Sequence, residues 1–394
     1  MTAEHLRHGS AESLDFSAMR SIAVFRALHL GDLLCVVPAL RALRHAAPQA
    51  HITLIALPWA AAFVDRFSEY VDEHLSFPGF PGMPETAPDL DRISGFFTSA
   101  QRQGFDLAIQ MHDSGTLTNQ ITVALGAKRN AGFYLPGGDC PDPRYFAPWS
   151  ETEHEVLRYL RLMNFLGVAS QGEALDFPLC DDDYQSLLAA EVALPPRGSY
   201  ACIHPGARLP SRRWSAQRFA EVADGIAAQG VQIIVTGSAE ERDITTAVLR
   251  SMHAPAIDMT GRTDLGALAA LVAQARLMVC NDNGISHIAA AVATPSVVIC
   301  SGADPIRWAP LDRRRHHLLH ADISCRPCAY QICPIGHPCA ESIGTEQVLA
   351  EAIELLRKDG LQHQAVRDDD AHSFSSHAAL LHATTDLAGR RPLT

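Results

Sequence analysis

The chain alternates short apolar runs with longer amphipathic stretches, and the first clear run begins at residue 20. Residues 20–26 (RSIAVFR) predict a buried strand, and 33–45 carry apolar residues at helical spacing. The apolar run 51–57 (HITLIAL) predicts the next strand, which completes a βαβ unit. Because the connections in this unit are short, the two strands are expected to be parallel.

The same alternation continues along the chain and then starts again after residue 199. A later strand over 107–111 and a helix over 155–166 complete the first series. In the second series, strands are predicted over 200–204, 232–236, 277–281 and 296–300, and helices over 215–229, 240–251, 265–274, 284–292 and 345–358. This order is typical of doubly wound α/β sheets.

We therefore expect an α/β protein with two Rossmann-like domains that face a cleft, at residues 20–185 and 186–358. The linker is placed within 172–198, which ends in two prolines and a glycine. The polar ends, 1–19 and 359–394, lack a pattern, so the first is expected to be flexible and the second disordered. The proline- and glycine-rich stretch 77–88 is long for a connection and predicts a functional loop.

The charge of the chain limits the partners that it is expected to bind. The net charge of its 394 residues is −12, whereas proteins that bind nucleic acids usually carry the opposite balance. An anionic ligand must therefore be met by local arginines or by backbone amides. The first 19 residues lack the apolar core of a secretory signal, so we expect a cytoplasmic protein.

The first candidate motif, Arg26 to Asp32, follows the first predicted strand. Ligands of open α/β sheets bind at the carboxyl ends of such strands. Gly31 allows a sharp turn or a close approach to a substrate. Asp32 precedes an apolar helix, and two interpretations are open: a helix N-cap, or a catalytic base that faces the cleft.

Two further motifs follow the first two strands of the second series. The segment from His204 through Gly206 to Trp214 contains three arginines, and Ser215 can cap the next helix, a combination that suits a diphosphate. The alternative is a solvated basic loop. In the next motif, 236–241, an acidic side chain could bind a ribose or simply complement the helix dipole.

The fourth motif, 281–287 (NDNGISH), joins a predicted strand to a very apolar helix. Asp282 or Asn283 is expected to cap this helix, and the backbone amides near Gly284 would point at a phosphate. His287 in the first turn is either an additional donor to that phosphate or a packed structural residue.

The order and spacing of these four motifs resemble glycosyltransferase family 9, the bacterial heptosyltransferases, over residues 20–356. The resemblance implies a GT-B fold and an inverting mechanism, with neither a metal nor another cofactor. It implies that Asp32 is the general base and that His29 and Gly31 lie on the acceptor side. The implied donor-binding residues are His204, Gly206, Ala207, Arg208, Arg212, Glu241 (with Glu240 as the alternative), Thr263, Asp282, Asn283, Gly284 and His287.

The chain departs from the family pattern in three places. Arg212 stands where the family has lysine, Asn283 replaces a threonine or serine, and His29 replaces a small residue. An arginine keeps the positive charge and adds a planar fork that suits phosphate. The other two changes bear on which donor and which acceptor are used.

The resemblance also implies the substrates. The donor would be a nucleotide sugar, ADP-heptose, and the acceptor a lipopolysaccharide core or another cell-envelope glycan or glycolipid. The enzyme would then contact the cytoplasmic face of the inner membrane peripherally. Two other functions stay open: a GT-B-type nucleotide-sugar epimerase, and a non-catalytic binder of nucleotide sugars or glycans.

Four of the ten cysteines cluster near the end of the second series, at Cys325, Cys328, Cys333 and Cys339. A C-x-x-C pair with two further cysteines can bind zinc or an iron–sulfur cluster. A zinc ribbon has two such pairs and this chain has one, so free or disulfide-paired thiols are the preferred interpretation, with His337 as an additional candidate ligand.

Overall fold

The structure, a computed structural model, describes residues 14–358 and contains two α/β halves. Each half is built on a parallel sheet of six strands, as the alternation of apolar and amphipathic segments predicts. The expected disordered tail, 359–394, and residues 1–13 lie outside the described range.

The first half follows the order that the sequence predicts and adds several shorter elements. Its strands are β1 (Ser21–Phe25), β2 (His51–Ala56), β3 (Glu73–Ser76), β4 (Leu107–Gln110), β5 (Arg129–Tyr134) and β6 (Phe146–Pro148). Its helices are α1 (Leu30–Ala46), α2 (Ala61–Arg66), α3 (Leu90–Gln103), α4 (Thr118–Ala124) and α5 (Glu155–Phe165). The strand order in the sheet is β3-β2-β1-β4-β5-β6.

The second half begins with a helix, α6 (Asp181–Leu188), and repeats the architecture. Its strands are β7 (Tyr200–His204), β8 (Gln232–Val235), β9 (Ala256–Asp258), β10 (Leu277–Asn281), β11 (Ser296–Ile299) and β12 (His316–Leu319). The other helices are α7 (Ala216–Ala227), α8 (Arg242–Ser251), α9 (Leu265–Gln274), α10 (Gly284–Ala291), α11 (Pro305–Trp308), α12 (Pro338–Glu341) and α13 (345–358). The strand order is β12-β11-β10-β7-β8-β9.

Both sheets change winding direction at one point, between β1 and β4 in the first and between β7 and β10 in the second. Ligands of doubly wound sheets bind in the crevice at this point, beyond the carboxyl ends of the strands. The loops that leave β1, β7 and β10 carry the first, second and fourth motifs. The fold therefore brings together three segments that lie far apart in sequence.

The structure differs from two local expectations, while the domain boundary stays a prediction. Helix α1 begins at Leu30, so Asp32 lies inside its first turn rather than before it. The expected linker, 172–198, contains helix α6, which packs against α9 of the second half. The proposed domain boundary near residue 185 falls within this helix.

The described part of the predicted flexible N-terminal segment, 14–19, is ordered. It contains a short 3-10 helix, Phe16–Ala18, and the side chains of Phe16 and Met19 are buried in the core of the first half. These two apolar side chains explain the order, because their burial removes apolar surface from water.

The halves are joined by packing of apolar helices. Helix α1 of the first half packs against α10 of the second, and one continuous hydrophobic cluster contains residues of both, including Leu33 and Ile288. Within 14–358, every helix is too short or too polar to cross a bilayer.

Candidate functional site

A cavity of about 570 Å³ opens between the two halves at the carboxyl ends of β1, β7 and β10. Most of the residues predicted from sequence line this cavity. They are His29, Gly31, Asp32, Ala207, Arg208, Arg212, Asp282, Asn283, Gly284 and His287. A carboxylate from the first half therefore faces arginines and a helix N-terminus from the second.

Asp32 is the third residue of α1, and it lines the cavity. The N-cap of α1 is His29, so the interpretation of Asp32 as the N-cap is wrong in position. Its Oδ2 atom nevertheless accepts a hydrogen bond from the backbone N–H of His29 at 3.3 Å, as in a capping box. Burial raises the pKa of Asp32, and Arg26 opposes this rise only in part. A carboxylate with a raised pKa is a stronger base.

A buried network of charges lies behind Asp32 and crosses between the halves. Glu155 at the start of α5 pairs with Arg26 at 3.0 Å and with Arg307 of the second half at 2.7 Å, and Arg158 contacts the same carboxylate oxygen as Arg307. Burial alone would raise the pKa of Glu155, but Arg26 and Arg307 outweigh it and bring the pKa down to about 2. Glu155 is therefore ionised and fixes the arginines around Asp32.

The first motif and the fourth touch each other across the cleft. A Cβ atom at Gly31 would lie 2.8 Å from Cδ2 of His287, which is closer than real Cβ contacts. Gly31 is thus required for the close approach of α1 and α10. His287 is buried, and burial lowers its pKa to about 4, so the ring is neutral at pH 7. It both packs against α1 and lines the cavity.

Asn283 caps α10 and links it to the second motif. Its side-chain oxygen accepts from the N–H of Ile285 at 3.0 Å, and its Nδ2 donates to the carbonyl of Gly206 at 2.7 Å. The sequence allows either Asp282 or Asn283 as the cap of this helix, and the structure shows that it is Asn283. The amide in place of a hydroxyl fixes the spacing between two candidate phosphate-binding loops.

Arg212 lies at the cavity wall, and at least one of its N–H donors has no hydrogen-bond partner among residues 14–358. Its Nη2 donates to the carbonyl of Cys328 at 3.2 Å, and its Nη1 lies 3.9 Å from Oδ2 of Asp282. Within 14–358 its buried Nε has no hydrogen-bond partner. Burial raises the pKa of Asp282 to about 6, with Arg212 acting against that rise. Buried donors without partners are costly, so an anion beside Arg212 would be stabilised.

The predicted capping bond of the following helix is absent. Ser215 stands at the N-cap of α7 but makes no side-chain hydrogen bond there. The arginines and the start of α10 are therefore the groups lining the cavity that could bind an anion.

The third motif lies beside the second, outside the residues that line the main cavity. A Cβ at Gly206 would lie 2.0 Å from Oε1 of Glu241, so this glycine allows the carboxylate to approach the loop. The other oxygen accepts from the N–H of Ser238 at 2.8 Å and lies 3.7 Å from Nε2 of His204. Glu240 is exposed, which favours Glu241 as the ribose-binding residue.

Thr263 does not line the main cavity. Its turn lies next to the third motif instead, because the N–H of Gly261 donates to the carbonyl of Gly237 at 2.8 Å. The third motif and this turn therefore lie side by side.

Sequence reasoning missed several residues of the site. Trp59 and Trp308 line the cavity, and Arg307 reaches Glu155 from the segment after β11. Glu85, in the predicted functional loop, lies 3.5 Å from Nε2 of the buried His112, but neither residue lines the cavity. The sequence signal available for 307–308 was an Arg-Trp pair beyond the end of a predicted strand. The sequence around Glu85 and His112 carries no such signal.

The four clustered cysteines do not line the cleft. They line a second cavity, of about 230 Å³, together with Ser211 and His337. All ten cysteines of the chain are free thiols. The expected disulfide alternative is therefore not formed in the structure. Burial raises the pKa of Cys339, and its three neighbouring thiols act in the same direction.

Two parallel six-stranded sheets on either side of a cleft form a GT-B-like fold. The sequence model of glycosyltransferase family 9 (heptosyltransferase) matches residues 96–338. The chain therefore belongs to glycosyltransferase family 9, as its motifs indicate.

Similar proteins agree with this assignment. Lipooligosaccharide heptosyltransferase 2 of Campylobacter jejuni is 26% identical over 227 residues, which cover 55% of this chain and 69% of that protein.

Two solved structures share the fold. A glycosyl transferase family 9 structure from Veillonella parvula has a TM-score of 0.68 at 22% identity, covering 88% of this chain and 99% of that one. The E. coli heptosyltransferase WaaC with ADP has a TM-score of 0.59 at 17% identity, with coverage of 85% and 99%. The expected GT-B-type fold is confirmed.

Proposed function

We propose that this enzyme transfers heptose from ADP-heptose to a hydroxyl of a lipopolysaccharide core or another cell-envelope glycan, with inversion at the anomeric carbon. The observation that carries the proposal is the arrangement across one cleft: Asp32 on the first half, and Arg208, Arg212 and the start of α10 on the second. The relatives named above supply the class of donor and acceptor. The acceptor would be met at the cytoplasmic face of the inner membrane.

The chemistry assigns one task to each side of the cleft. Asp32 takes the proton from the acceptor hydroxyl while its oxygen attacks the anomeric carbon. The bond from that carbon to the diphosphate breaks, and the electron pair leaves with ADP. Arg212, Arg208 and the amides near Gly284 stabilise the developing charge of this leaving group.

The nucleoside half of the donor is assigned to the second half of the protein. Glu241 would accept hydrogen bonds from the ribose hydroxyls, and the adenine would lie by the backbone of Thr263. The loops that leave β7, β8 and β10 support this orientation, because they are adjacent in the second sheet. A melting-temperature screen with ADP, UDP, GDP and their sugars tests it, since a ligand of the native state raises the melting temperature. Stabilisation by UDP or GDP but not by ADP would overturn the proposed donor.

Product analysis distinguishes a transferase from an epimerase and from a non-catalytic binder. A transferase converts ADP-heptose to ADP only when an acceptor is added, whereas an epimerase changes the sugar without one. A binder is stabilised by ADP-heptose and releases no product under either condition. Epimerised donor in the absence of acceptor would refute the proposal.

We also propose that transfer needs no divalent metal at the diphosphate. Arginines and helix amides already supply the positive potential there, and the set of three metal-ligand atoms found within 14–358, His317, Glu351 and Glu354, lies outside the cleft lining. Turnover should persist within about twofold in EDTA, without added magnesium or manganese. Loss of turnover that magnesium or manganese restores would contradict this part of the proposal.

A further inference from the structure

The start of helix α5 connects the two halves at two neighbouring residues. Glu155 accepts a hydrogen bond from Nε of Arg307 at 2.7 Å, and Nε2 of His154 donates to the carbonyl oxygen of Ala309 at 2.7 Å. The side chain of Glu155 is fully buried, and that of Arg307 is 30% exposed. These two contacts hold the segment that carries Arg307 against the first half, so the charge of this arginine is fixed at the junction.

Glu155 is also linked to the backbone of the candidate base, through Arg26. Nη2 of Arg26 donates to Oε1 of Glu155 at 3.0 Å, and its Nε donates to the carbonyl oxygen of Asp32 at 2.8 Å. Its third nitrogen, Nη1, donates to the carbonyl oxygen of Met111. The side chain of Arg26 is fully buried, and each of its nitrogen atoms has a partner. These bonds fix Arg26 between Glu155 and the first turn of α1.

The positive charges around Glu155 depend on its carboxylate. Arg26, Arg158 and Arg307 all contact it, so one negative group faces three guanidinium groups. A buried charge that loses its partner is strongly unfavourable. Without the negative charge of Glu155, the field of these arginines at Asp32 would be stronger.

The electrostatic environment of Asp32 contains both members of the pair that joins the halves. Burial raises the pKa of Asp32, Arg26 acts against this rise, and Glu155 acts with it. His29 and Arg307 make smaller contributions that lower the pKa. Glu155 and Arg307 therefore act on Asp32 in opposite directions. The other titratable or charged groups nearby are Cys35 on the same helix and, in the cavity lining, Arg208, Arg212, Asp282 and His287.

We propose that Glu155 is a positioning residue for the proposed general base, Asp32. Its carboxylate holds Arg26 and Arg307 in place, and its negative charge offsets theirs, so the base keeps its affinity for the proton of the acceptor hydroxyl. Glu155 does not line the cavity, so it acts through the two arginines rather than by contact with a substrate. This inference rests on the proposed role of Asp32.

Two single variants of one ion pair test this role, because they should shift the pH profile in opposite directions. The acid limb of kcat/KM reports the protonation of the base in the free enzyme. Glu155→Gln removes a negative charge and should move this limb to lower pH by about one unit. The weaker base should also lower turnover by about tenfold. Arg307→Gln removes a positive charge and should move the limb to higher pH by about the same amount.

A purely structural role would not produce shifts of opposite sign. Arg161→Gln is the matched control, since Arg161 also lies on α5, pairs with Glu153 and does not line the cavity. Its acid limb should match that of wild type. The double variant Glu155→Gln/Arg307→Gln should fall between the two single variants.

The proposal is overturned if the limb is unchanged in both single variants, or if both shift it in the same direction. Arg307→Gln leaves Glu155 with two arginine partners, Arg26 and Arg158, so we expect this variant to fold even where Glu155→Gln does not. A wild-type limb in Arg307→Gln would therefore suffice to refute the proposal.

A direct titration of Asp32 separates this inference from the proposed function. Carbon-13 NMR of protein labelled at the aspartate carboxyl carbons follows their protonation without substrate, and Asp32→Asn identifies the signal. Its midpoint should fall in Glu155→Gln and rise in Arg307→Gln. If these shifts occur in a protein without transferase activity, the proposed function fails and the positioning role stands. If the midpoint stays unchanged in an active transferase, the positioning role fails and the proposed function stands.

Discussion

Asp32 lies where its carboxylate can act both on the helix and on a substrate. It accepts the N–H of His29 at 3.3 Å and also lines the cavity. An asparagine keeps an acceptor oxygen for the helix but cannot take a proton. One substitution therefore separates the two roles.

We predict that Asp32→Asn lowers turnover by roughly a hundredfold to ten-thousandfold, the usual contribution of a general base. The free energy of unfolding should stay within about 1 kcal/mol of wild type. ADP affinity should hardly change, because the proposed diphosphate site lies on the other half. Turnover, urea unfolding and calorimetry on one preparation provide the check. Asp15→Asn, which changes a capping aspartate far from the cleft, is the control and should keep full turnover.

Arg212 is the second residue whose role one variant tests. We predict that Arg212→Ala weakens ADP binding by about 1.5–3 kcal/mol, as expected for a charged hydrogen bond. Arg212→Lys should recover most of the affinity, since the charge stays while the fork is lost. Arg250→Ala, on the exposed side of α8, is the control. Calorimetry with ADP measures all three, and an unchanged value for Arg212→Ala would remove this residue from the site.

Site residues that follow predicted strands could be identified from the sequence. The residues that hold those side chains in place were harder to identify. Asp32, Arg212 and Asn283 lie in the loops or helix starts that follow apolar strands, so their position was predictable. Glu155 was not, because its role depends on Arg307, which lies 152 positions away. Partners so distant in sequence are brought together only by the packing of the halves.

Helices α1 and α10 meet at Gly31, where the backbone of one faces His287 of the other. An added methyl group would either push the two helix starts apart or displace the histidine ring. Displacements of about 1 Å near reacting groups can lower rates by about a hundredfold.

We predict that Gly31→Ala lowers kcat/KM by about ten- to a hundredfold. Gly95→Ala is a matched control, because Gly95 also lies in a helix and has open space around its Cβ position. The control should keep wild-type kinetics and can gain up to about 1 kcal/mol of stability from the higher helix propensity of alanine. Wild-type kinetics for Gly31→Ala would show that the close approach is dispensable.

The elements themselves were predictable where burial imposes a pattern. The central strands β1, β4, β7 and β10 are fully or almost fully buried and read as continuous apolar runs. Short outer strands such as β3 and β9 are only partly buried, so they lack that signal. Helix α6 was missed because its sequence, DDDYQSLL, carries three acidic residues in its first turn and few apolar ones.

Apolar helices and buried charges join the two halves. Helix α1 packs on α10, and Glu155 of the first half pairs with Arg307 of the second. Buried histidines lie in the same region: His287 at the junction of the halves and His316 at the start of β12. Their protonation connects the pH of the solution to the stability of the fold.

We predict that the protein loses stability as the pH falls from about 6.5 to 4, partly through His316. Burial lowers the pKa of His316 to about 4, whereas a free histidine titrates near 6.5. In this window the unfolded chain binds a proton that the folded one refuses, so the free energy of unfolding falls by up to about 1.4 kcal/mol per pH unit. Asp282 opposes this below pH 6, because its pKa is raised to about 6. His316→Gln should flatten the slope in urea unfolding between pH 6.5 and 4.5 and run parallel to wild type above pH 7.5. Parallel curves throughout would mean that His316 takes up its proton in the folded state.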